Sequence, residues 1–232
     1  MSQLFPHPAP NGFLSSYGEE ESLMGMAQCH QIWSRFFSIG APNAPLSAHQ
    51  KHELQRIVNG LSVILGAPLA IKWPGFSAHL KPLADVFPDA FYLFLTRDAS
   101  AVIRSHYRGR QALLGSPLHP ISRSPDCGHL KPGADPLEDI FMYIQAVNHA
   151  IKEASSQLRS GQFLSIDYEA FCAAPNYTLE QLRTKYQDWS GDQLESKDGL
   201  PGRFEASYGP QLSVAEEAKI RVLINADAKH FC

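Results

Sequence analysis

An arginine and a serine lie eight residues apart, at the point where an apolar run ends and a segment with helical spacing of apolar residues begins. The run FYLFLT ends at Thr96, Arg97 follows it directly, and Ser105 lies further along. If the run is a buried strand and Asp98 begins a helix, Ser105 lies about two turns into that helix, on the same face as Ala101. The guanidinium and the hydroxyl could then contact one phosphate. The alternative is that Arg97 pairs with a carboxylate and Ser105 is an exposed helical residue.

The elements around this pair alternate between strands and helices. Apolar spacing predicts helices after Ser47, over 77–87, after Asp98, over 137–161, after Thr178 and from Ser213, with loops over 115–136 and 190–212. The predicted strands are the apolar runs at 67–72, 91–96 and 163–168. Continuous apolar strands separated by helices predict an α/β fold, with a parallel sheet flanked by helices and covered on both faces. In such sheets, ligands bind at the carboxyl ends of the strands, beside helix N-termini.

The composition predicts a single domain over residues 1–232 and excludes several classes of protein. The chain is 44% hydrophobic, and its net charge of −3 argues against a nucleic-acid partner. The four cysteines show no CxxC spacing, and no metal site is expected. No apolar run approaches the roughly 20 residues that span a bilayer, and no signal sequence follows Met1. We therefore expect a cytoplasmic protein with no membrane partner.

Several separated segments resemble the sulfotransferases that use 3′-phosphoadenosine 5′-phosphosulfate. In the 3′-phosphate-binding segment of that family, an Arg ends a strand and a Ser follows eight residues later, as Arg97 and Ser105 do here. Upstream, IKWPGFSAHLKPLADVFPDA is similar to the family's strand ending in Lys-x-Pro and the helix after it. Downstream, FLSIDYEAFCAAP is similar to the family's Tyr-Glu segment, which places Tyr168 in register. The GRF triplet that contains Arg203 more weakly resembles a Gly-Arg-aromatic segment.

The resemblance covers most of residues 67–220 and implies both a fold and a reaction. The fold is a P-loop-like sulfotransferase fold, and 3′-phosphoadenosine 5′-phosphosulfate is the co-substrate. The reaction is transfer of its sulfuryl group to a hydroxyl or amine on a small-molecule acceptor. The nucleotide-binding residues it implies are Arg97, Ser105, Tyr168 and Arg203.

Two further residues match positions that the chemistry of this family requires. Sulfuryl transfer needs a cation to neutralise developing charge and a base for the acceptor proton. Lys72 is the candidate cation, and His79 or a carboxylate among Glu19–Glu21 is the candidate base. The alternatives are a solvated strand-end lysine, a histidine at the edge of the core, and an acidic run that only begins a helix.

One expected motif is missing from the sequence. The family holds the 5′-phosphosulfate in a loop after its first strand, typically Pro-Lys/Arg-Ser-Gly-Thr-Thr, and residues 1–232 contain no such loop. The opening residues SQLFPHPAPN resemble the end of the helix after that loop. We therefore expect an N-terminally incomplete domain without its first strand, and slow or absent transfer by this chain. A non-catalytic nucleotide-binding module, a nucleotide kinase fragment, a homo-oligomer and a domain completed by another chain remain open alternatives.

Overall fold

The computed structural model describes residues 15–16, 19–20, 30–37, 41, 43–66, 69–118, 135–195 and 200–228. The elements in chain order are β1 (Ser15–Ser16), β2 (Glu19–Glu20), α1 (His30–Trp33), α2 (Ala48–Leu65), a 3₁₀ helix (Pro74–Ala78), α3 (Leu80–Val86), β3 (Tyr92–Thr96), α4 (Ala99–Leu114), α5 (Pro136–Ser155), β4 (Phe163–Asp167), α6 (Tyr168–Ala173), α7 (Pro175–Ser190) and α8 (Val214–Ala228). Most of the predicted 115–136 loop lies outside the described residues. No helix within the described ranges is both long enough and apolar enough to cross a bilayer.

The sheet that positions the site consists of β3 and β4. The two strands run parallel, with Tyr92 opposite Phe163 and Thr96 opposite Asp167. β1 and β2 form a separate antiparallel pair of two residues each. Because helices connect and flank the parallel pair, the predicted α/β class is confirmed.

One face of β3 is not covered by the described part of the chain. Leu93 and Leu95 are 53% and 56% exposed, whereas Tyr92 on the opposite face packs against the core. Side chains alternate between the two faces of a strand, so this exposure belongs to a whole face and not to one residue. Among the described residues, the expectation of a sheet covered on both faces is therefore not met on this face.

The segment that contains Lys72 is not a strand. Of the predicted strand at 67–72, the structure describes residues 69–72, and none of them is paired in a sheet. A strand forms only where a neighbouring backbone satisfies its N–H and C=O groups, whatever its apolar pattern. The apolar run ends in a buried Trp73 that joins the aromatic core, while Ile71 is 40% exposed.

The helix boundaries follow from the capping residues. Ser47 and Gln50 form a reciprocal capping box at the start of α2, and Asp98 accepts a hydrogen bond from the N–H of Ala101 at the start of α4. These two starts confirm the predictions. α7 begins at Pro175, before the predicted Thr178, because proline suits the first helical turn. The helix predicted over 137–161 ends earlier, at Ser155.

Two clusters of buried apolar residues hold the helices together. One joins α1, α2, α3 and the segment before the 3₁₀ helix, and it contains Trp33, Phe36, Phe37, Leu46, Leu54, Trp73, Leu83 and Val86. The other joins α4, α5 and α8, and it contains Ile103, Leu137, Ile140, Phe141, Ile144 and Ile220. The second cluster fixes α4, the helix that carries Ser105, against its neighbours.

A buried ion pair crosses the interface between α4 and α5. The Arg110 side chain is 2% exposed, and its Nη1 lies 2.6 Å from Oδ2 of Asp139, which is 10% exposed. The same nitrogen also donates to the Pro117 carbonyl. Each charge is removed from water and depends on the other for compensation.

His106 makes the stability of the fold depend on pH. Burial lowers the pKa of His106 to about 4, and the charge of Arg110 acts in the same direction. Because the unfolded side chain has a pKa near 6.5, its stabilising contribution is complete above that pH and is lost as the pH falls towards 4. The slope is at most about 1.4 kcal/mol per pH unit.

We expect the His106→Phe variant to lose stability less steeply than the wild type between pH 6.5 and 4.5. Phenylalanine can keep the ring contact with Tyr143, whose centroid lies 5.4 Å from that of His106, but it binds no proton. Urea unfolding at a series of pH values measures both slopes. His79 titrates in the same direction, so a slope remains in the variant. Identical slopes for the two proteins would contradict the assignment to His106.

Candidate functional site

The parallel pairing of β3 and β4 places Arg97 beside Tyr168. Thr96 pairs with Asp167 at the last position of the sheet, so the next residue of each strand leaves from the same carboxyl edge. Cζ of Arg97 lies 4.8 Å from the centroid of the Tyr168 ring, within the range of a cation–π interaction. The structure thus brings together two residues that are 71 positions apart in the sequence.

A loop from the end of the chain crosses this edge. We call residues 200–213 the crossing loop. Its Ser207 carbonyl accepts a hydrogen bond from Nη2 of Arg97, and the N–H of Ser207 donates to Oη of Tyr168 at 3.2 Å. The two predicted nucleotide-binding residues are therefore joined through one residue of the loop.

The guanidinium of Arg97 retains an unused donor. Its Nε is buried and has no hydrogen-bond partner in the described part of the chain. No carboxylate within those residues is close enough to form an ion pair with it, so the carboxylate alternative for Arg97 is not observed. A buried N–H without a partner costs free energy unless a ligand or water accepts its hydrogen bond. A cation with an unmet donor at a strand end suits the phosphate of a nucleotide.

The crossing loop also lies against the face of α4 that carries Ser105. A Cβ atom on Gly209 would lie 3.1 Å from Cβ of Arg104, 3.2 Å from the Ala101 carbonyl oxygen and 3.5 Å from the backbone nitrogen of Ser105. A side chain at this position would require Arg104 or the Ala101 carbonyl to shift by a few tenths of an ångström. Residues 207–209 of the loop therefore connect Arg97 with the Ser105 turn of α4.

Gly209 provides a direct test of this packing. The Gly209→Ala variant should be destabilised by about 1–2 kcal/mol for its φ of +75° and by roughly a further 1–3 kcal/mol for the close contacts. Gly191→Ala is a matched control, since Gly191 has a φ of +77° but no atom near its added Cβ. Urea unfolding of both variants should show the larger loss at Gly209. Equal losses would mean that the loop does not pack tightly on α4.

The N-terminus of α4 is already occupied by protein groups. Asp98 accepts from the Ala101 N–H at 2.8 Å and from the Ser100 hydroxyl, and its own N–H donates to Oε1 of Glu169 at 3.2 Å. Burial raises the pKa of Asp98, but these hydrogen bonds outweigh it and the pKa is lowered. The positive charge of the site therefore comes from Arg97 and not from a free helix end.

α6, an element absent from the sequence prediction, fixes the start of the crossing loop. The Phe204 N–H donates to the Cys172 carbonyl at 2.8 Å, and the Phe204 ring stacks on Phe171 with centroids 5.7 Å apart. Arg203 precedes this contact and is exposed. The structure places Arg203 on the same loop as Ser207, and its role in nucleotide binding stays a prediction.

The two candidate catalytic residues, Lys72 and His79, do not lie on β3, β4 or the crossing loop. Lys72 is exposed in the unpaired segment before the 3₁₀ helix. His79 is 2% exposed, its ring centroid lies 5.2 Å from that of Phe37, and its Nδ1 has no partner among the described residues. Burial lowers the pKa of His79, which keeps the ring neutral. The catalytic roles of both residues stay predictions.

The carboxylates Glu19–Glu21, which are the alternative to His79 as the base, lie partly outside the described residues. Glu19 and Glu20 form β2, where the sequence suggested a helix start, and Glu21 lies outside the described ranges. Within those ranges, no group of three or more His, Cys, Asp or Glu side chains is arranged to hold a metal ion.

Arg104 and Glu217 are site residues that sequence reasoning missed. Arg104 lies between Arg97 and Ser105 in sequence and contacts the crossing loop and α8. Its partner is 113 positions away, so no local spacing could have identified the pair. The tandem acids at 216–217, one turn into the last helix, were the only sequence signal.

Comparison with known proteins adds one positive finding. A family model described as the sulfotransferase family matches residues 6–187, well over half of the chain. Neither the curated proteins nor the solved structures give a match. The matched region includes β3, β4, Arg97, Ser105 and Tyr168, and it ends before the crossing loop.

Proposed function

The chain belongs to the sulfotransferase family, and on that premise we propose that it binds 3′-phosphoadenosine 5′-phosphosulfate at the carboxyl edge of β3. In this proposal the chain transfers the sulfuryl group to a hydroxyl or amine of a small-molecule acceptor. The observation that supports it most is the position of Arg97, immediately after a parallel strand, with a buried Nε that lacks a partner in the described structure. The coarser statement, a sulfotransferase-like protein, rests on the family match alone.

The 3′-phosphate is the part of the donor that this edge is suited to bind. Arg97 supplies a charge-assisted hydrogen bond, and the Ser105 hydroxyl supplies a second donor from the next helix. The Tyr168 ring restrains the guanidinium from one side and the Ser207 carbonyl restrains it through Nη2. Arg203 is the further cation that we assign to the nucleotide.

The reaction moves one group and one proton. The acceptor oxygen or nitrogen attacks sulfur, the bond from sulfur to the 5′-phosphate oxygen breaks, and adenosine 3′,5′-bisphosphate leaves. We assign Lys72 to the charge on the moving group and His79, or a carboxylate among Glu19–Glu21, to the acceptor proton. A neutral imidazole is the form that accepts a proton, and the lowered pKa of His79 favours that form.

The test uses a sulfur-labelled donor with a panel of phenols, alcohols and amines. We expect label in at least one acceptor and a large loss in the Arg97→Ala variant. Arg159→Ala is the matched control, because Arg159 is an exposed arginine that pairs with Asp89 at the amino end of the same two strands. We expect this transfer to be slow. Donor binding without transfer would favour the nucleotide-binding module, and the absence of binding would overturn the proposal.

A further inference from the structure

Arg104 connects the crossing loop to two helices at once. Its Nε and Nη2 each donate at 2.8 Å to one carboxylate oxygen of Glu217, and its Nη1 donates to the Ser100 hydroxyl at 3.0 Å and to the Tyr208 carbonyl at 3.3 Å. The Leu212 N–H donates to Oε1 of Glu217 at 3.2 Å. The pair therefore holds the crossing loop at two separate backbone positions.

This ion pair is partly buried and has two parallel hydrogen bonds. The side chains of Arg104 and Glu217 are 20% and 16% exposed, unlike the Arg183–Glu180 pair, whose side chains are 41% and 66% exposed. The hydrogen bonds from Arg104 hold the pKa of Glu217 below its usual range. A bidentate guanidinium–carboxylate pair fixes orientation as well as distance.

The contacts of the pair, at Tyr208 and Leu212, lie within and just after the loop residues that join the site. Ser207 binds Arg97 and Tyr168, Tyr208 binds Arg104, and Gly209 lies against the Ala101–Ser105 turn of α4. If the bonds to Tyr208 and Leu212 are lost, the loop keeps only the packing of Gly209 and the Arg108 bond to the Gln211 carbonyl at 3.4 Å among its described contacts with α4, so Ser207 is held less firmly at the strand edge. The Ser207 carbonyl then restrains the Arg97 guanidinium less, and the contact with the Tyr168 ring remains.

We propose that Arg104, acting through Glu217 and the crossing loop, is a positioning residue for the nucleotide site at Arg97 and Ser105. This inference rests on the proposed function, because it concerns the same donor site. The hydrogen bonds of Arg104 go to Glu217, Ser100 and the Tyr208 carbonyl, so in this proposal its effect reaches the donor through the placement of Ser207.

α8 also has packing contacts outside this pair. Lys219, on the same helix, lies 2.9 Å from Asp135 and 2.8 Å from Glu138 of α5, and Ile220 is buried in the α4–α5–α8 cluster. A variant of Lys219 thus removes an ion pair of α8 that does not touch the crossing loop. This makes Lys219→Met the matched control for Arg104→Met.

The experiment measures adenosine 3′,5′-bisphosphate binding by calorimetry and amide hydrogen exchange of residues 207–212 on the full chain. We expect Arg104→Met to weaken binding about tenfold and to speed exchange in the loop. Arg104→Lys, which keeps the charge but not the two parallel bonds, should fall between Arg104→Met and the wild type. The exchanged pair Arg104→Glu with Glu217→Arg keeps an ion pair but not the bonds to Tyr208 and Leu212, so it should not recover the loss, and Lys219→Met should bind like the wild type.

The outcomes separate this inference from the function on which it rests. If the wild type binds no bisphosphate, the proposed function fails and the positioning role fails with it. If the wild type binds and Arg104→Met binds equally well while its loop exchanges faster, only the positioning role is overturned. If Lys219→Met loses as much affinity as Arg104→Met, the effect is general destabilisation and the inference is wrong. Thermal unfolding of each variant checks that it is folded at the temperature of the titration.

Discussion

Replacing Arg97 by alanine is expected to weaken the binding of adenosine 3′,5′-bisphosphate by about 1.5–3 kcal/mol, roughly 10- to 150-fold. The loss is that of a charge-assisted hydrogen bond at a site where Nε has no other partner in the described structure. The variant also loses the contact with the Tyr168 ring and the bond to the Ser207 carbonyl, so the crossing loop loses one of its contacts at the strand edge. Isothermal titration calorimetry measures the change directly.

Two further variants make this measurement specific. Ser105→Ala should cost less, about 0.5–1.5 kcal/mol, because it removes one neutral hydrogen bond. Arg159→Ala removes an exposed arginine from the opposite end of the strands and should leave the affinity unchanged. Equal affinities for the wild type and Arg97→Ala would place the nucleotide elsewhere on the protein.

The largest effect on stability is expected at Arg110. The Arg110→Met variant should lose about 3–5 kcal/mol in free energy of unfolding, because it leaves the Asp139 carboxylate buried without its cation. The Pro117 carbonyl also loses a donor. Urea unfolding monitored by circular dichroism measures the loss, and α4 keeps its length because methionine is a good helix former.

The double variant shows whether the loss comes from an unpaired charge. Arg110→Met combined with Asp139→Leu removes both charges and should recover much of the stability, since apolar replacements of a buried pair are often neutral or better. Arg183→Met, which breaks the exposed pair with Glu180, should cost no more than about 0.5 kcal/mol. A loss at Arg110 as small as that at Arg183 would mean that water reaches the α4–α5 pair.

Local sequence patterns predicted the strands whose carboxyl ends form part of the site. Arg97 and Tyr168 each follow an apolar run, and a parallel sheet requires the residues after paired strands to leave from one edge. The sequence predicted both strands and a parallel sheet, but it did not predict that the two strands are neighbours, and Tyr168 entered the predicted site through the family resemblance. The helix starts at Ser47 and Asp98 could also be predicted from the sequence, because a capping side chain bonds a backbone N–H within three residues of itself.

Features that depend on residues distant in sequence could not be predicted from local sequence patterns. Residues 69–72 are not paired in a sheet because no neighbouring strand is present among the described residues. The amino-acid propensities of the segment itself contain no information about such a neighbour. His79 is buried because Phe37 packs on its ring, 42 positions away. The hydrogen bonds from Arg104 to Glu217 and to the Tyr208 carbonyl join residues more than 100 positions apart. Hydrophobic periodicity carries no information about such polar contacts.

The most direct test of the nucleotide site is a comparison of two ligands on two proteins. Adenosine 3′,5′-bisphosphate and adenosine 5′-monophosphate differ only in the 3′-phosphate that we assign to Arg97 and Ser105. Calorimetry of both ligands should show that the wild type prefers the bisphosphate by about tenfold or more and that Arg97→Ala loses most of this preference. Affinity for the monophosphate should change little between the two proteins. A preference for the bisphosphate that survives in Arg97→Ala, or a wild type that binds both ligands equally, would contradict a 3′-phosphate site at the carboxyl edge of β3.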